Sequence, residues 1–460
     1  MTKSSSTEIR QQRADAPTFP ELVRVFGHIG LMSFGGPAAQ IGLMHRIVVD
    51  EKRWVPEDRF LHALNYCMLL PGPEAQQLAT YIGWLMFGVR GGVVAGLLFV
   101  LPGLAVIIGL SAAYALFQDT TWIAGLFFGL KAAVLAIVVE ALIRIGKRAL
   151  KTQVHRIIAL TAFLALFLLS VPFPLVVLLA GLAGYIAARS SRAADQPLDG
   201  LQDGEKTLAR PHLGRSAAGL LFWILVWQAP LLVLWLVLGP GSFTALFTFF
   251  SKMALVTFGG AYAVLAYVAQ VAVEQYQWLK PGEMLDGLAL AETTPGPLVL
   301  VLSFVGFLAS FRQSMGLDPV LAGILGSVLT AWATFVPSFL WIFAGAPYIE
   351  RLRGNRLLSG ALSAITAAVV GVILNLAVWF ALHVLFARVD RLMIWPQMEN
   401  VAGPPAPFSL SLSVPDWTTL DPAALVISLL AAVMIFRFHQ GVGRTLAVCA
   451  VVGLALRAAF

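Results

Sequence analysis

Four short stretches carry residues that could bind an anion without a metal. They are Ser33-Phe34-Gly35-Gly36-Pro37, Pro71-Gly72-Pro73, Thr257-Phe258-Gly259-Gly260 and Pro295-Gly296-Pro297. Each lies inside an apolar segment. Proline removes a backbone donor and clashes with the preceding turn, so two prolines around a glycine interrupt a helix. The interruption exposes N–H groups at a new helix N-terminus, where the dipole favours negative charge. Ser33, Thr257, Thr293 and Thr294 add hydroxyl donors beside the breaks, and Gln40, Gln76 and Gln77 lie close by in sequence. The breaks read as the walls of an anion site. The competing reading is a kink or close helix packing by small residues.

Ionisable residues inside apolar segments are expensive in lipid and usually face a path or a partner. Glu74 follows the first Pro-Gly-Pro directly, and Glu292 precedes the second by three residues. A desolvated carboxyl can carry a proton, which makes Glu74 and Glu292 candidates for proton coupling. Lys131 and Lys252 can balance a divalent anion. Glu140 is the remaining charge of this kind, and Asn65 and Asn375 are candidate path residues. Each charge reads equally as half of a structural pair or as a group snorkelling to the interface.

The elements that position these residues are membrane segments. The chain has 460 residues, is 59% hydrophobic and only 12% charged, and has a mean hydropathy of +0.83. Soluble chains carry roughly 25% charge. Apolar runs of bilayer length occur throughout. They fall at 20–47, 59–87, 90–117, 121–146, 156–171, 173–188, 216–238, 243–273, 284–311, 319–344, 357–386, 422–436 and 441–459. The expectation is an all-α polytopic membrane protein of about 13 segments, with lipid as its surroundings. The breaks serve equally as tips of re-entrant hairpins. Connectors around Trp54 and Trp278 read as membrane-surface helices anchored by tryptophan.

Residues 1–19 read as a cytoplasmic tail with no signal peptide. Residues 189–242 read as a cytoplasmic linker plus a connecting helix, and Ala387 to Leu420 as an external loop. Alternating sides from a cytoplasmic N-terminus puts most of the 31 Lys and Arg residues inside, Arg90 and Lys280 among them. Arg46, Lys52, Arg53, Arg59, Arg312, Arg388, Arg391 and Arg457 fall outside. This bias favours a cytoplasmic N-terminus and a periplasmic C-terminus. The net charge of +7 thus sets topology, and with no basic patch among exposed aromatics it suggests no nucleic-acid partner. Cys67 and Cys449 form no metal or disulfide motif.

The halves, 20–188 and 243–460, resemble each other. Ser33-Phe34-Gly35-Gly36 returns as Thr257-Phe258-Gly259-Gly260, Trp54 as Trp278, and Pro71-Gly72-Pro73 as Pro295-Gly296-Pro297, always 224 residues on. Gly129 to Val139 then resembles Gly360 to Val370 after an insertion around Phe311 to Pro319. Six segments and one connecting segment precede the second repeat, which starts it from the opposite side. An inverted repeat with broken or re-entrant helices follows, with a site at the repeat interface.

The stretches Phe26-Gly27-His28-Ile29-Gly30-Leu31-Met32-Ser33-Phe34-Gly35-Gly36-Pro37 and Leu70-Pro71-Gly72-Pro73-Glu74-Ala75-Gln76-Gln77-Leu78-Ala79 resemble the chromate ion transporter family in its long, two-domain form. The resemblance implies export of chromate across a bacterial inner membrane, powered by the electrochemical gradient, with sulfate as a competitor. A homodimer is a further expectation. The second half departs from the first, since Pro37, Gln40 and Glu74 become Ala261, Val264 and Leu298. A carrier or channel for sulfate or another small anion keeps the same fold. HExxH, GxSxG and Walker A motifs are absent, which argues against an enzyme or an ATP-driven pump, and no cofactor is expected.

Overall fold

The computed structural model describes residues 17–190, 213–258, 261–345, 356–395 and 410–459. The N-terminal tail to residue 16, most of the linker and the Pro404–Pro407 region lie outside them.

The first half opens with α1 (Phe19–Met32) and α2 (Gly36–His45), the latter extended by a π turn over Arg46–Glu51. Then come α3 (Glu57–Cys67), α4 (Glu74–Phe117), α5 (Thr121–Ala149), α6 (Gln153–Phe167) and α7 (Phe173–Ser190). Helix α8 (Leu213–Leu238) connects the halves. The second half has α9 (Ser242–Val256), α10 (Ala261–Gln270) with its π turn Val271–Gln275, and α11 (Pro281–Thr293). A 3-10 turn at Leu298–Leu300 leads into α12 (Val301–Arg312). Helices α13 (Pro319–Gly345), α14 (Arg356–Leu385), α15 (Pro422–Ala432) and α16 (Val442–Ala459) complete it.

Among the described residues, six helices are long and apolar enough to cross a membrane: α4, α5, α7, α8, α13 and α14. The chain is therefore a helical, multi-pass membrane protein by composition and element length. Helix α8 leaves Leu232, Trp235, Leu236 and Val237 all at least 60% exposed, which suits contact with lipid. The expected external loop contains an antiparallel hairpin, β1 (Val389–Trp395) with β2 (Leu410–Pro415), in which Val389 pairs with Pro415 and Leu392 with Leu412.

Both halves start with helix pairs that fold back on themselves. Lys52 Nζ lies 3.6 Å from Glu21 Oε1, so the end of the α2 turn returns to the start of α1. His45 then bonds Glu57 at the start of α3 (2.7 Å). Helix α4 bends back at Phe87 and Gly88, whose φ is +62°. There Phe87 meets Phe19, ring centre to ring centre at 5.6 Å. In the second half Arg312, at the end of α12, donates to the Trp278 carbonyl (2.7 Å) and grips Glu283 of α11 with both terminal nitrogens. Ser242, at the start of α9, bonds the Gln313 carbonyl (3.3 Å). Residues 19–21, 45–57 and 87 thus share one face, here the Glu21 face. Residues 242, 278–283 and 312–313 share another, the Arg312 face.

The turn details repeat at the same offset as the sequence. Trp54 N–H donates to Val48 O (2.9 Å) and Trp278 N–H to Ala272 O (2.8 Å). Arg53 and Gln277, one residue earlier in each case, both have φ near +50°. Trp278, expected as an interfacial anchor, is instead buried within the protein. It is 3% exposed, stacks on Tyr276 at 4.2 Å and packs against Phe249 and Phe250. Burial of a large aromatic ring outweighs interfacial anchoring here.

The two halves interlock. Helix α5 packs against α15 and α16 of the second half, and α14 packs against α6 and α7 of the first. Glycines permit both crossings. A Cβ at Gly129 of α5 would overlap the Cys449 carbonyl of α16, and one at Gly184 of α7 would overlap the Gly360 carbonyl of α14. Close backbone approach through small residues is how membrane helices gain dispersion energy without a hydrophobic drive.

Candidate functional site

The four breaks meet. Gly72 N–H donates to the Thr257 carbonyl at 2.9 Å, and Gly296 N–H donates to the Ser33 carbonyl at 2.8 Å. Each Pro-Gly-Pro turn is therefore tied to the broken helix of the other half. Both glycines hold positive φ, +121° at Gly72 and +92° at Gly296, a region that side chains disfavour. Space is short as well. A Cβ at Gly72 would come within 2.8 Å of Gln77 Nε2, and one at Gly296 within 3.0 Å of Leu300 Cδ1.

Glutamines brace this junction. Gln40 Nε2 donates to the Gly296 carbonyl across the halves (2.6 Å), and Gln77 Nε2 to the Pro71 carbonyl (2.7 Å). Gln76 lies beside Thr80, with Nε2 3.5 Å from its hydroxyl. All three glutamines are at most 1% exposed, and Oε1 of each has no hydrogen-bond partner among the described residues. Those oxygens are acceptors. They call for donors, such as water or a protonated ligand oxygen.

The hydroxyls are engaged in this conformation. Ser33 donates to Ile29 O and Thr257 to Met253 O, each at 2.6 Å. Thr293 donates to Leu290 O and Thr294 to Ala291 O. They satisfy carbonyls at the ends of their own helices, as short polar side chains commonly do. At the start of α2, beyond Gly35 and Gly36, the first backbone N–H groups have no partner within the helix, and Pro37 supplies none. Gly259 and Gly260 of the second break lie outside the described residues.

The Ser33 and Thr257 breaks differ in exposure by degree. Beside Ser33, Leu31, Met32 and Phe34 are 46–58% exposed, whereas beside Thr257, Leu255 is 42% exposed and Val256 and Phe258 are half-buried. Both Pro-Gly-Pro turns are buried, and Gly103 of α4 packs against the Pro295 carbonyl.

The ionisable residues do not converge on one point. Glu74 opens α4 beside Pro73 and is half-buried. Glu292 is 5% exposed and accepts from the Tyr262 hydroxyl at 2.6 Å. Lys131 is engaged elsewhere: its ammonium lies 3.1 Å from Asp286 Oδ2. Glu140 pairs with Arg144 one turn on, at 3.4 Å. Lys252 is exposed and lines a groove with Tyr267, Tyr276 and Trp235. Sequence reasoning passed over Asp286, Tyr114 and Tyr262. Asp286 is the third residue of an apolar run, which reads as an interface position. Only the opposing lysine on α5 marks it as a buried charge.

A family profile described as "Chromate transporter" matches residues 20–185 and 244–456. The chain is 33% identical over 374 residues to a chromate transport protein of Pseudomonas aeruginosa, which covers 80% of this chain and 83% of that one. It is 29% identical over 360 residues to a chromate transport protein of Cupriavidus metallidurans, covering 78% and 82%. A probable chromate transport protein of Synechococcus elongatus is 27% identical over 367 residues, covering 78% and 83%. No solved structure matches. The two matched stretches span both halves and all four breaks, and the chain belongs to the chromate transporter family.

Proposed function

We propose that this protein exports chromate from the cytoplasm across a bacterial inner membrane, through a site between two inverted halves. The observation that carries this reading is the crossed pair of hydrogen bonds, Gly72 to Thr257 and Gly296 to Ser33. Exchanging the halves exchanges the two bonds, as a pseudo-two-fold axis through the junction requires. Such axes, with broken helices at mid-bilayer, mark the sites of secondary transporters.

The fold-back contacts support re-entrant pairs rather than full crossings for 20–47, 59–87, 243–273 and 284–311. The first two enter from the Glu21 face and the last two from the Arg312 face. This leaves the second arm of α4 with α5, α6, α7, α8, α13, α14, α15 and α16 as crossings. It revises the sidedness of five charges. Arg46, Lys52, Arg53 and Arg59 join the N-terminal side, and Lys280 joins Arg312, Arg388, Arg391 and Arg457 opposite. The basic bias of the N-terminal side becomes stronger, which supports a cytoplasmic N-terminus.

In this reading the start of α2 and the Pro-Gly-Pro turns supply amide donors and dipole ends to the anion. The glutamines hold the turns in register and keep water at the site. In a cell that is negative inside, outward movement of a dianion is favoured by about 2.3 kcal/mol per charge per 100 mV. Export therefore runs on membrane potential, with Glu74 and Glu292 as carriers of any coupled proton. Sulfate, a tetrahedral dianion like chromate, competes.

Energised inverted vesicles test this. Chromate should accumulate, and collapse of both potential and pH gradient should stop it. Uptake indifferent to both would end the proposal. Cysteine labelling of Lys52→Cys and Lys280→Cys from opposite sides tests the topology.

A further inference from the structure

A second polar cluster sits on the Arg312 face, away from the breaks. Asp286 of α11 is 1% exposed. Its Oδ2 accepts from the Tyr114 hydroxyl at 2.7 Å and lies 3.1 Å from Lys131 Nζ. Its Oδ1 is buried with no hydrogen-bond partner among the described residues. Among the described residues, Lys131 is its one cationic contact. The Lys131 side chain is 31% exposed and lines a cavity of about 350 Å³ together with Gln118, Lys280, Gly282 and Arg457. A Cβ at Gly282 would lie 2.9 Å from Nζ, so glycine leaves the ammonium its room.

The ammonium therefore faces a buried carboxylate on one side and a basic vestibule on the other. The remaining charges around it are accounted for. Glu283 is held by Arg312 and by the Lys280 N–H (2.7 Å), so it does not compete for Lys131. Tyr114 comes from α4, Arg457 from α16, and Lys280 caps α11. An oxyanion entering the cavity meets Lys131, Lys280 and Arg457, and draws the Lys131 ammonium from Asp286. A buried carboxylate stripped of its counter-ion is strongly disfavoured. A proton from vestibule water relieves it.

We infer that Asp286 and a tetrahedral oxyanion dianion compete for the Lys131 ammonium in this vestibule, with Asp286 taking up one proton when the anion is bound. Higher pH returns Asp286 to Lys131 and expels the anion. The assignment of the vestibule to the export path rests on the transport reading. The competition itself does not.

Sulfate is the probe, because it does not itself titrate near neutrality. Purified full-length protein in detergent is titrated with sulfate in weakly buffered solution, with a pH indicator and calorimetry. The wild type should take up about one proton per sulfate, and its Kd should rise up to tenfold per pH unit where Asp286 titrates. Asp286→Asn should bind with no proton uptake and a flat pH profile. Lys131→Met should weaken binding at least tenfold. The Lys131→Met/Asp286→Asn double variant removes both charges together, guards against misfolding of the lysine variant, and should bind as weakly with no proton uptake. Binding without proton uptake in the wild type, proton uptake retained in Asp286→Asn, binding unaffected in either lysine variant, or no sulfate binding would each overturn the inference. Chromate flux in wild-type vesicles is measured in parallel, so failure of the transport reading registers separately.

Discussion

The first-half and second-half breaks share a backbone and differ in almost every polar side chain. Ser33 and Thr257, Gly72 and Gly296, and the turns at Trp54 and Trp278 match bond for bond. Yet Gln40, Glu74, Gln76 and Gln77 face Val264, Leu298, Leu300 and Val301 at the corresponding positions. The Ser33 break is rimmed by more exposed apolar side chains than the Thr257 break, and both Pro-Gly-Pro turns are buried. In exchange, the second half carries Glu283, Asp286 and Glu292, all at most 5% exposed, where the first has Arg59, His62 and Met68. Duplicated backbone geometry survives because the crossed hydrogen bonds need both copies. Side chains are free to specialise: Gln40, Gln76 and Gln77 lie in the first half, and Glu283, Asp286 and Glu292 in the second.

Five variants test how deep that division runs. The largest effect is expected at Arg312→Gln, which strips Glu283 of its bidentate partner. It should cost about 3–5 kcal/mol, because it leaves an uncompensated buried charge. Thermal unfolding in detergent reads it, and a fall in Tm of less than a few degrees would show the second-half network to be dispensable. Next come Gly72→Ala and Gly296→Ala. Each forces a side chain into positive φ at a cost of about 1–3 kcal/mol. The two losses should match within a factor of two if the backbone is two-fold, and grossly unequal losses would break the comparison. Gln40→Val makes the first half like the second. It leaves the buried Gly296 carbonyl without the glutamine, at about 1–3 kcal/mol, and should lower chromate flux more than stability. Glu140→Gln breaks only a partly exposed pair and should change stability by less than about 1 kcal/mol.

The repeat and its breaks were legible because proline and glycine act on local backbone, and their spacing is visible in one dimension. The same holds for the apolar segments. Whether a broken segment crosses or turns back was not legible, since both readings satisfy the same hydrophobic length. The contacts that bear on it, such as Lys52 with Glu21 and Arg312 with Glu283, join residues far apart in sequence. The roles of Lys131 and Trp278 were hidden for a related reason. Their partners lie on distant helices, and no local spacing announces them. The hydroxyls of Ser33 and Thr257 looked like free donors because sequence cannot show that each already bonds the preceding turn.

The interlock of α5 with α15 and α16, and of α14 with α6 and α7, has a consequence for biogenesis. The N-terminal half leaves the ribosome with the α5 surface around Gly125 and Gly129 uncovered, and α15 and α16 must close it. Helix α5 is therefore made before the partners that cover it. A gene divided between Ser190 and Leu213 should therefore yield two fragments that are each degraded when made alone. Made together, they should clasp into a working whole.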